Sequence, residues 1–456
     1  MVDDGVAGKE SLTVAVGRGS VFFYGVGHML NDITAACWFT YLLVFMTDIG
    51  LSPRNAATVM LSGQIADGFT TIFAGELIDR FGHFKVWHGA GSILVAVSFS
   101  SVFGGCVPCI IFGSESTLLQ TIGYSFFAAV FNVGWAATQV SHMSMVNCIT
   151  LNSTSRVVLT SCRNAFSMVA NLSLYAVAFS VFHVWPSKTT EEVKNQYRWI
   201  AYSSIFIGCF FVVVFHIGTK EPRLKEDFRE HGHQKLAWTY WFKKVLYYQV
   251  ALVYVFARLI TNVSQAFLAF YVINDLRMAQ SSKALIPAMI YICSFVVSIV
   301  LQELTWTGQR LKAFYSVGGF LWIVCGLSIF FMPSTTKKMM YLLSLVIGIA
   351  NALIMVTGVS MQSYLVGEDV KGCAFVYGSL SFLEKMSCGF ALWALESYQK
   401  SSQPIKECSP NYSCFSVSRY GFGLVPAICA LAGVVVTCTM KLERPHLRHL
   451  KVPLLE

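Results

Sequence analysis

The chain has 456 residues and a net charge of +9; hydrophobic residues make up 55% and charged residues 12%. That charged fraction is about half the ~25% of an ordinary globular domain, which excludes a string of soluble domains. A mean hydropathy of +0.59 says that most of the surface faces something other than water. At ~20 apolar residues per crossing, the length accommodates roughly a dozen membrane helices. The positive balance does not point to nucleic acid, because Lys and Arg sit in loops and form no basic stripe on a recognisable binding motif.

Apolar runs separated by polar clusters place the first six helices at 19–47, 56–79, 86–107, 117–145, 157–186 and 199–218. A second set of six follows at 246–274, 283–303, 312–332, 338–366, 373–399 and 417–440. Between them lies one long interruption rich in Lys, Arg and Glu. The reading is an all-α membrane protein of twelve transmembrane helices. It comprises a six-helix bundle over 1–218, a charged cytosolic linker over 219–245, a second bundle over 246–440 and a cytosolic tail over 441–456. The excess of Lys and Arg on the linker side orients the chain with both termini in the cytosol. The halves align with Ile33-Thr34 on Ile260-Thr261, Asp48 on Asp275 and Lys85 on Lys312, as an internal repeat would. Residue identity across that alignment is near chance, and the repeat rests on helix ends falling in phase.

The stretch between the second and third helices, Gly75-Glu-Leu-Ile-Asp79-Arg80-Phe-Gly82-His-Phe-Lys85, reads G-x-x-x-D-R-x-G-x-x-K. Gly75 would let helices approach closely, Asp79 would cap or pair across the bundle, and Arg80 and Lys85 would sit at cytosolic headgroups. The pattern resembles the signature gating loop of the major facilitator superfamily, which implies that superfamily's fold of two six-helix bundles. Within it, Asp32, Asp67, Arg163 and Lys385 sit where the glycoside-pentoside-hexuronide:cation symporters carry functional charges. A closer likeness is to an animal branch of lysosomal and melanosomal cysteine importers. It is carried by Tyr24-Gly-Val-Gly-His-Met-Leu-Asn-Asp32, Gly63-Gln-Ile-Ala-Asp67-Gly, Gly134-Trp-Ala-Ala-Thr-Gln-Val-Ser-His142 and Ala374-Phe-Val-Tyr-Gly-Ser-Leu-Ser-Phe-Leu-Glu-Lys385.

A charge near the bilayer centre costs at least ~2.5–3.5 kcal/mol on insertion scales, so each needs a reason. Asp32, Asp67, Arg258 and Lys385 fall near the midplane and Arg163 nearer the cytosol. The expected substrate set is Asp32, Arg163, Arg258 and Lys385, with Asn132, Trp135 and Tyr377 lining the pocket. Asp67, Asp32 and Lys385 are the expected proton or cation coupling groups. Arg163 and Arg258 are forked donors suited to a carboxylate, and Asp32 suits an ammonium or sugar hydroxyls. Lys385 could neutralise Asp32 or Asp67 in the empty state. Glu384, turned about 100° from it on the helix, reads as a packing partner. His28 and His142 read as core histidines or proton relays. Asn262 and Gln265 read equally as interhelical glue or pocket residues.

Two departures from the sugar symporters bear on coupling. Thr71 stands where that group has a second acid, and Asn132 where it has another. Losing two carboxylates weakens a sodium site, because a hard cation needs several oxygen ligands and compensating charge; proton coupling or uncoupled transport stays open. Neither a metal ligand set nor a cofactor motif is present, and no nucleophile–base pair argues for an enzyme.

The expected partners are therefore a small-molecule substrate (cysteine or a sugar), protons if transport is coupled, and membrane lipid, with no nucleic acid. On the non-cytosolic side, Asn411-Tyr-Ser is a glycosylation sequon. Cys106, Cys109, Cys408 and Cys414 fall in two loops on that side, their pairing open. The resemblance implies import of cysteine across a lysosome or melanosome membrane, with the plasma membrane as the other candidate location. A sugar:cation symporter and a non-transporting membrane sensor or scaffold are the competing readings.

Overall fold

In lipid every backbone N–H and C=O must be satisfied within its own segment, so each apolar run has to close as a helix. The computed structural model describes residues 16–81, 83–113, 116–149, 153–187, 189–220, 238–302, 307–366, 373–398 and 416–442. Gly82 and Asn411 lie outside the described residues, as do Cys408, Cys414 and the side chains of Asp79 and Arg80.

The long helices are α1 (Arg18–Asp48), α2 (Pro53–Phe81), α3 (Phe84–Gly104), α4 (Thr117–Ile149), α5 (Ser153–Val184) and α6 (Thr190–Gly218). The second set is α7 (Val245–Asp275), α8 (Ser282–Gln302), α9 (Gly308–Phe331), α10 (Met339–Val366), α11 (Cys373–Tyr398) and α12 (Val417–Thr439). Among the described residues, nine are apolar and long enough to cross a membrane. The other three, α2, α4 and α11, are as long, at 29, 33 and 26 residues. They carry polar residues mid-helix, including Asp67, Asn132, Glu384 and Lys385.

Hydropathy misses one helix start. The apolar run of α6 begins near Trp199, but the helix begins at Thr190. There Thr189 and Glu192 form a reciprocal capping box, with Glu192 N–H donating to Thr189 Oγ1 at 3.3 Å and Thr189 N–H to Glu192 Oε2 at 3.0 Å.

The internal repeat is written in contacts rather than identities. Lys85, at the start of α3, donates to the His216 and Thr219 carbonyls closing α6, both at 2.8 Å. Lys312, at the start of α9, does the same for Cys438 and Met440 closing α12, at 3.3 and 2.7 Å. At the opposite end, Arg198 of α6 donates to Gly104 O of α3 at 2.9 Å. Arg419 of α12 donates to Phe330 O of α9 at 2.9 Å. Each half thus ties its third helix to its sixth at both ends with a basic side chain on exposed carbonyls.

The end carrying Lys85, Gly218 and Trp238 is called the linker end below, and the other the distal end. The halves meet where α2 packs on α11, α5 on α8 and α1 on α7. Large apolar side chains such as Leu118, Phe206, Ile217 and Phe320 point outward, as a lipid-facing surface requires.

Gly75 does not do what its place in the loop motif leads one to expect. A methyl group there would meet only Val140 Cγ1, at 4.0 Å, so no close approach depends on it. That job falls to Gly91 and Gly134, where an added Cβ would lie 2.7 Å from the carbonyl oxygen of the other. Gly134→Ala is expected to cost about 1–3 kcal/mol by overpacking α3 against α4. Gly75→Ala should stay within about 0.5 kcal/mol. Thermal unfolding of the two detergent-solubilised variants measures the contrast.

Candidate functional site

Among the described residues, three charged clusters lie mid-helix on helices lining the boundary between the halves, and a fourth pair lies nearer the distal end. In the first, His28 Nδ1 donates to Asp32 Oδ1 at 2.9 Å along α1. Ser167 Oγ of α5 donates to Asp32 Oδ2 at 2.5 Å. Arg163, one turn before Ser167, points a guanidinium nitrogen at His28 Nε2, 3.3 Å away. The α1 carboxylate therefore has a histidine and a serine as partners, and the arginine reaches it through the histidine.

The second cluster joins the halves. Lys385 Nζ of α11 is ion-paired with Asp67 Oδ1 of α2. It also donates to Thr71 Oγ1 at 2.7 Å, and Thr71 donates to Asp67 Oδ1 at 3.1 Å. Both charged side chains are under 10% exposed. The Lys385 ammonium lies 5.4 Å from the Trp135 ring centroid, within cation–π range. Of the two acids open to Lys385 in the sequence, it takes Asp67. One acid and one base balance here, with the Thr71 hydroxyl hydrogen-bonded to both.

In the third cluster Arg258 Nε of α7 lies 3.4 Å from Glu384 Oε1 and donates to Tyr254 OH at 3.2 Å. Tyr254 OH donates to Glu384 Oε2 at 2.7 Å. Glu384, expected only to pack, is the counter-ion of Arg258. The 100° between it and Lys385 directs one α11 charge toward α7 and the other toward α2. Glu384 stays within electrostatic reach of Asp67, which couples the second and third clusters.

A cavity of about 290 Å³ lies beside Arg258, lined by Met168, Gln265, Tyr291, Ser294 and Asn351 among others. Gln265 takes the pocket role and also bridges the halves, donating to Thr40 Oγ1 of α1 at 2.9 Å while accepting from Tyr291 OH at 3.2 Å. Asn262 instead donates to Cys388 Sγ at 3.5 Å, an α7–α11 tie. Tyr291, on the cavity wall, is within electrostatic reach of both Asp32 and Arg258, while the residues of the first cluster themselves are not part of the cavity lining.

Of the aromatic and amide residues expected at the pocket, Trp135 reaches the charged groups. It also locks α4 to α1, exchanging hydrogen bonds with Asn31 at 2.9 and 3.1 Å. Asn132 is buried and donates to Ala128 O of its own helix at 2.8 Å. It packs against Gly63 of α2, where an added Cβ would press on its Nδ2. Tyr377 is 38% exposed and lies about 12 Å along α11 from Lys385.

The sequence gives no warning of a distal bridge. Lys283, at the start of α8, is buried, lies 3.6 Å from Asp48 Oδ2 at the end of α1 and donates to Tyr197 OH at 3.1 Å. Tyr41 OH donates to Lys283 O at 3.2 Å. In the sequence Asp48 and Lys283 are ordinary helix-end charges, and nothing announces that they meet across the boundary. Thr40–Gln265 and the Tyr175 ring, whose centroid is 5.5 Å from that of Tyr291, add further ties between the halves on the distal side. In the distal loop Cys106 and Cys109 are disulfide-bonded to each other.

Twelve long helices in two repeated halves, with ion pairs and a cavity at their boundary, define a multi-pass membrane protein of the transporter class. The chain belongs to the family described as MFS/sugar transport protein, which it matches over residues 23–444. It is similar to Major facilitator superfamily domain-containing protein 12 of Homo sapiens, with 30% identity over 456 residues covering 93% of each chain. It is 31% identical to the Mus musculus protein of that name, over 91% of each. Among solved structures its fold is similar to a D-xylose–proton symporter, with a TM-score of 0.64 at 12% identity covering 92% of this chain and 95% of that one. A nucleoside transporter gives 0.63, at 13% identity covering 92% of this chain and 98% of that one.

Proposed function

We propose that the chain is a secondary transporter for a small zwitterionic solute, cysteine, which it moves from the cytosol into a lysosome- or melanosome-type compartment by alternating access. The observation that carries this reading is Arg258 on the wall of a small cavity, with the Asp32 carboxylate in electrostatic reach of that wall. Arg258 is suited to a carboxylate, and Tyr291 on the same wall lies within electrostatic reach of Asp32 in the other half. A zwitterion needs both signs within a few ångströms, and a neutral sugar does not. The likeness of the Tyr24–Asp32, Gly134–His142 and Ala374–Lys385 segments to cysteine importers agrees with that chemistry.

Asp48–Lys283 and Thr40–Gln265 tie the halves together toward the distal end, and this reading takes the linker end, with its excess of basic residues, as the cytosolic side. Asp67 and Lys385 are the groups whose pairing would alternate. Protonation of Asp67, or withdrawal of Lys385, would free α2 from α11 and let the halves rock. A proton-coupled sugar carrier is the second reading, favoured by the family description and by the fold of the xylose symporter.

Uptake of labelled cysteine and labelled disaccharide into proteoliposomes, with and without an imposed pH gradient, separates them. Saturable cysteine uptake untouched by excess sugar is expected. Sugar uptake alone would transfer the case to the second reading, and transport of neither by folded protein would sink both.

A further inference from the structure

Four histidine rings stand in a row inside the first half: His28 on α1, His142 on α4, His88 on α3 and His216 on α6. Successive ring centroids are 5.4, 5.8 and 5.2 Å apart. The first three are fully buried, and His216 is partly exposed near the linker end of α6. One end of the row is therefore Asp32, and the other is the linker-side surface.

Their partners fix the tautomer of each neutral ring. His28 donates from Nδ1 to Asp32, leaving an Nε2 lone pair that a guanidinium N–H of Arg163 faces at 3.3 Å. His142 donates from Nε2 to Tyr24 O at 2.9 Å, and its buried Nδ1 has no partner among the described residues. His88 donates from Nε2 to Gly27 O at 2.9 Å, so its Nδ1 accepts from His216 Nε2–H at 3.1 Å. The α1 backbone closes directly on this row, since a Cβ at Gly27 would stand 2.7 Å from His142 Nε2. The charged and titratable groups that face it are Tyr24 and Asp32 from α1, Lys85 from α3 and Arg163 from α5. Lys85 is spent on the His216 and Thr219 carbonyls, and α4 and α6 contribute the rings themselves.

A neutral imidazole can take a proton on its bare nitrogen and release one from the other. We propose that His216, His88, His142 and His28 form a proton path between the linker-side surface and Asp32, and that Arg163 is its latch. This rests on the proposed role of Asp32 and Arg163 at the substrate. A proton arriving on His216 Nδ1 releases the Nε2 proton to His88 Nδ1. His88 Nε2 and His142 Nε2 rest on backbone carbonyls, so the next two transfers, from His88 Nε2 to His142 Nδ1 and from His142 Nε2 to His28 Nε2, each require the donating ring to swing off its carbonyl. His28 then gives its Nδ1 proton to the Asp32 carboxylate. One proton enters and one is held on Asp32; each ring ends in the opposite tautomer and resets by rotation. The last transfer but one is blocked while Arg163 occupies His28 Nε2. A substrate carboxylate that draws the guanidinium away opens it, so protons move only with substrate.

The test is made first without substrate, in proteoliposomes holding a trapped pH dye under a potassium–valinomycin potential. Arg163→Gln is expected to leak protons about 100-fold faster than the parent, the scale of one positioned proton relay, and adding His88→Phe should return the leak to the parent level. His88→Phe alone should support labelled-cysteine counterflow, which needs no net proton movement, at the parent rate while losing uptake driven by a pH gradient. His88→Gln serves if the Phe variant does not fold. No leak from folded Arg163→Gln, a leak that His88→Phe leaves intact, or equal loss of counterflow and gradient-driven uptake would each overturn the path. Parent uptake that ignores the gradient would overturn the coupling role of Asp32, while the leak pair still decides the path.

Discussion

Asp67→Asn and Lys385→Met should each abolish gradient-driven uptake and destabilise the protein by about 3–5 kcal/mol, the cost of leaving one member of a buried ion pair without its partner. The pair is a buried, charged link between the halves. Both side chains are buried, Thr71 bonds to each, and the Trp135 ring covers the ammonium. The double variant, which removes both charges, should recover most of that stability, because a neutral replacement of similar volume avoids the desolvation of two ions. It should not recover transport, because no group remains whose protonation can separate α2 from α11. Thermal unfolding and uptake measured on the same four preparations decide the matter. Transport surviving in the double variant would reduce the pair to a structural tie.

Asp32→Asn is expected to behave in the opposite way, with stability kept and function lost. The amide can keep the local hydrogen bonds, accepting from His28 Nδ1–H through its oxygen and donating to Ser167 Oγ through its nitrogen. Ser167 can redirect its own proton to Arg163 O, 3.2 Å away. Stability should therefore change by no more than about 1 kcal/mol. A charge-assisted bond to a substrate ammonium is worth ~1.5–3 kcal/mol, so affinity should fall by about 10- to 150-fold. An equilibrium binding titration with labelled cysteine measures the fall, and unaltered affinity would remove Asp32 from the substrate site.

The two outcomes differ because of surroundings that no single segment displays. Asp32 and Asp67 are both mid-helix acids with apolar and small polar neighbours, alike in the sequence. One has partners that bond equally well to an amide, and the other faces a buried ammonium from the opposite half. In the same way Asp48 and Lys283 look ordinary until the halves come together at the distal end.

The residues alone determined the membrane class, the helix positions and most of the charged set, because these rest on properties that each segment carries by itself. Apolar length sets a crossing, the cost of burying charge marks Asp32, Asp67, Arg258 and Lys385, and the D-R-x-G spacing marks the loop. The tertiary structure alone decided who partners whom. It paired Lys385 with Asp67, made Glu384 the counter-ion of Arg258, moved close helix packing from Gly75 to Gly91 and Gly134, and gathered four histidines from four helices into a row that starts at Asp32. The repeat, near chance in residue identity, became legible in Lys85 and Lys312 doing the same work. The physical reason is common to all of these. A hydrogen bond or ion pair between helices depends on rotation about each axis and on depth to within an ångström or so, and packing sets both only after the segments have met.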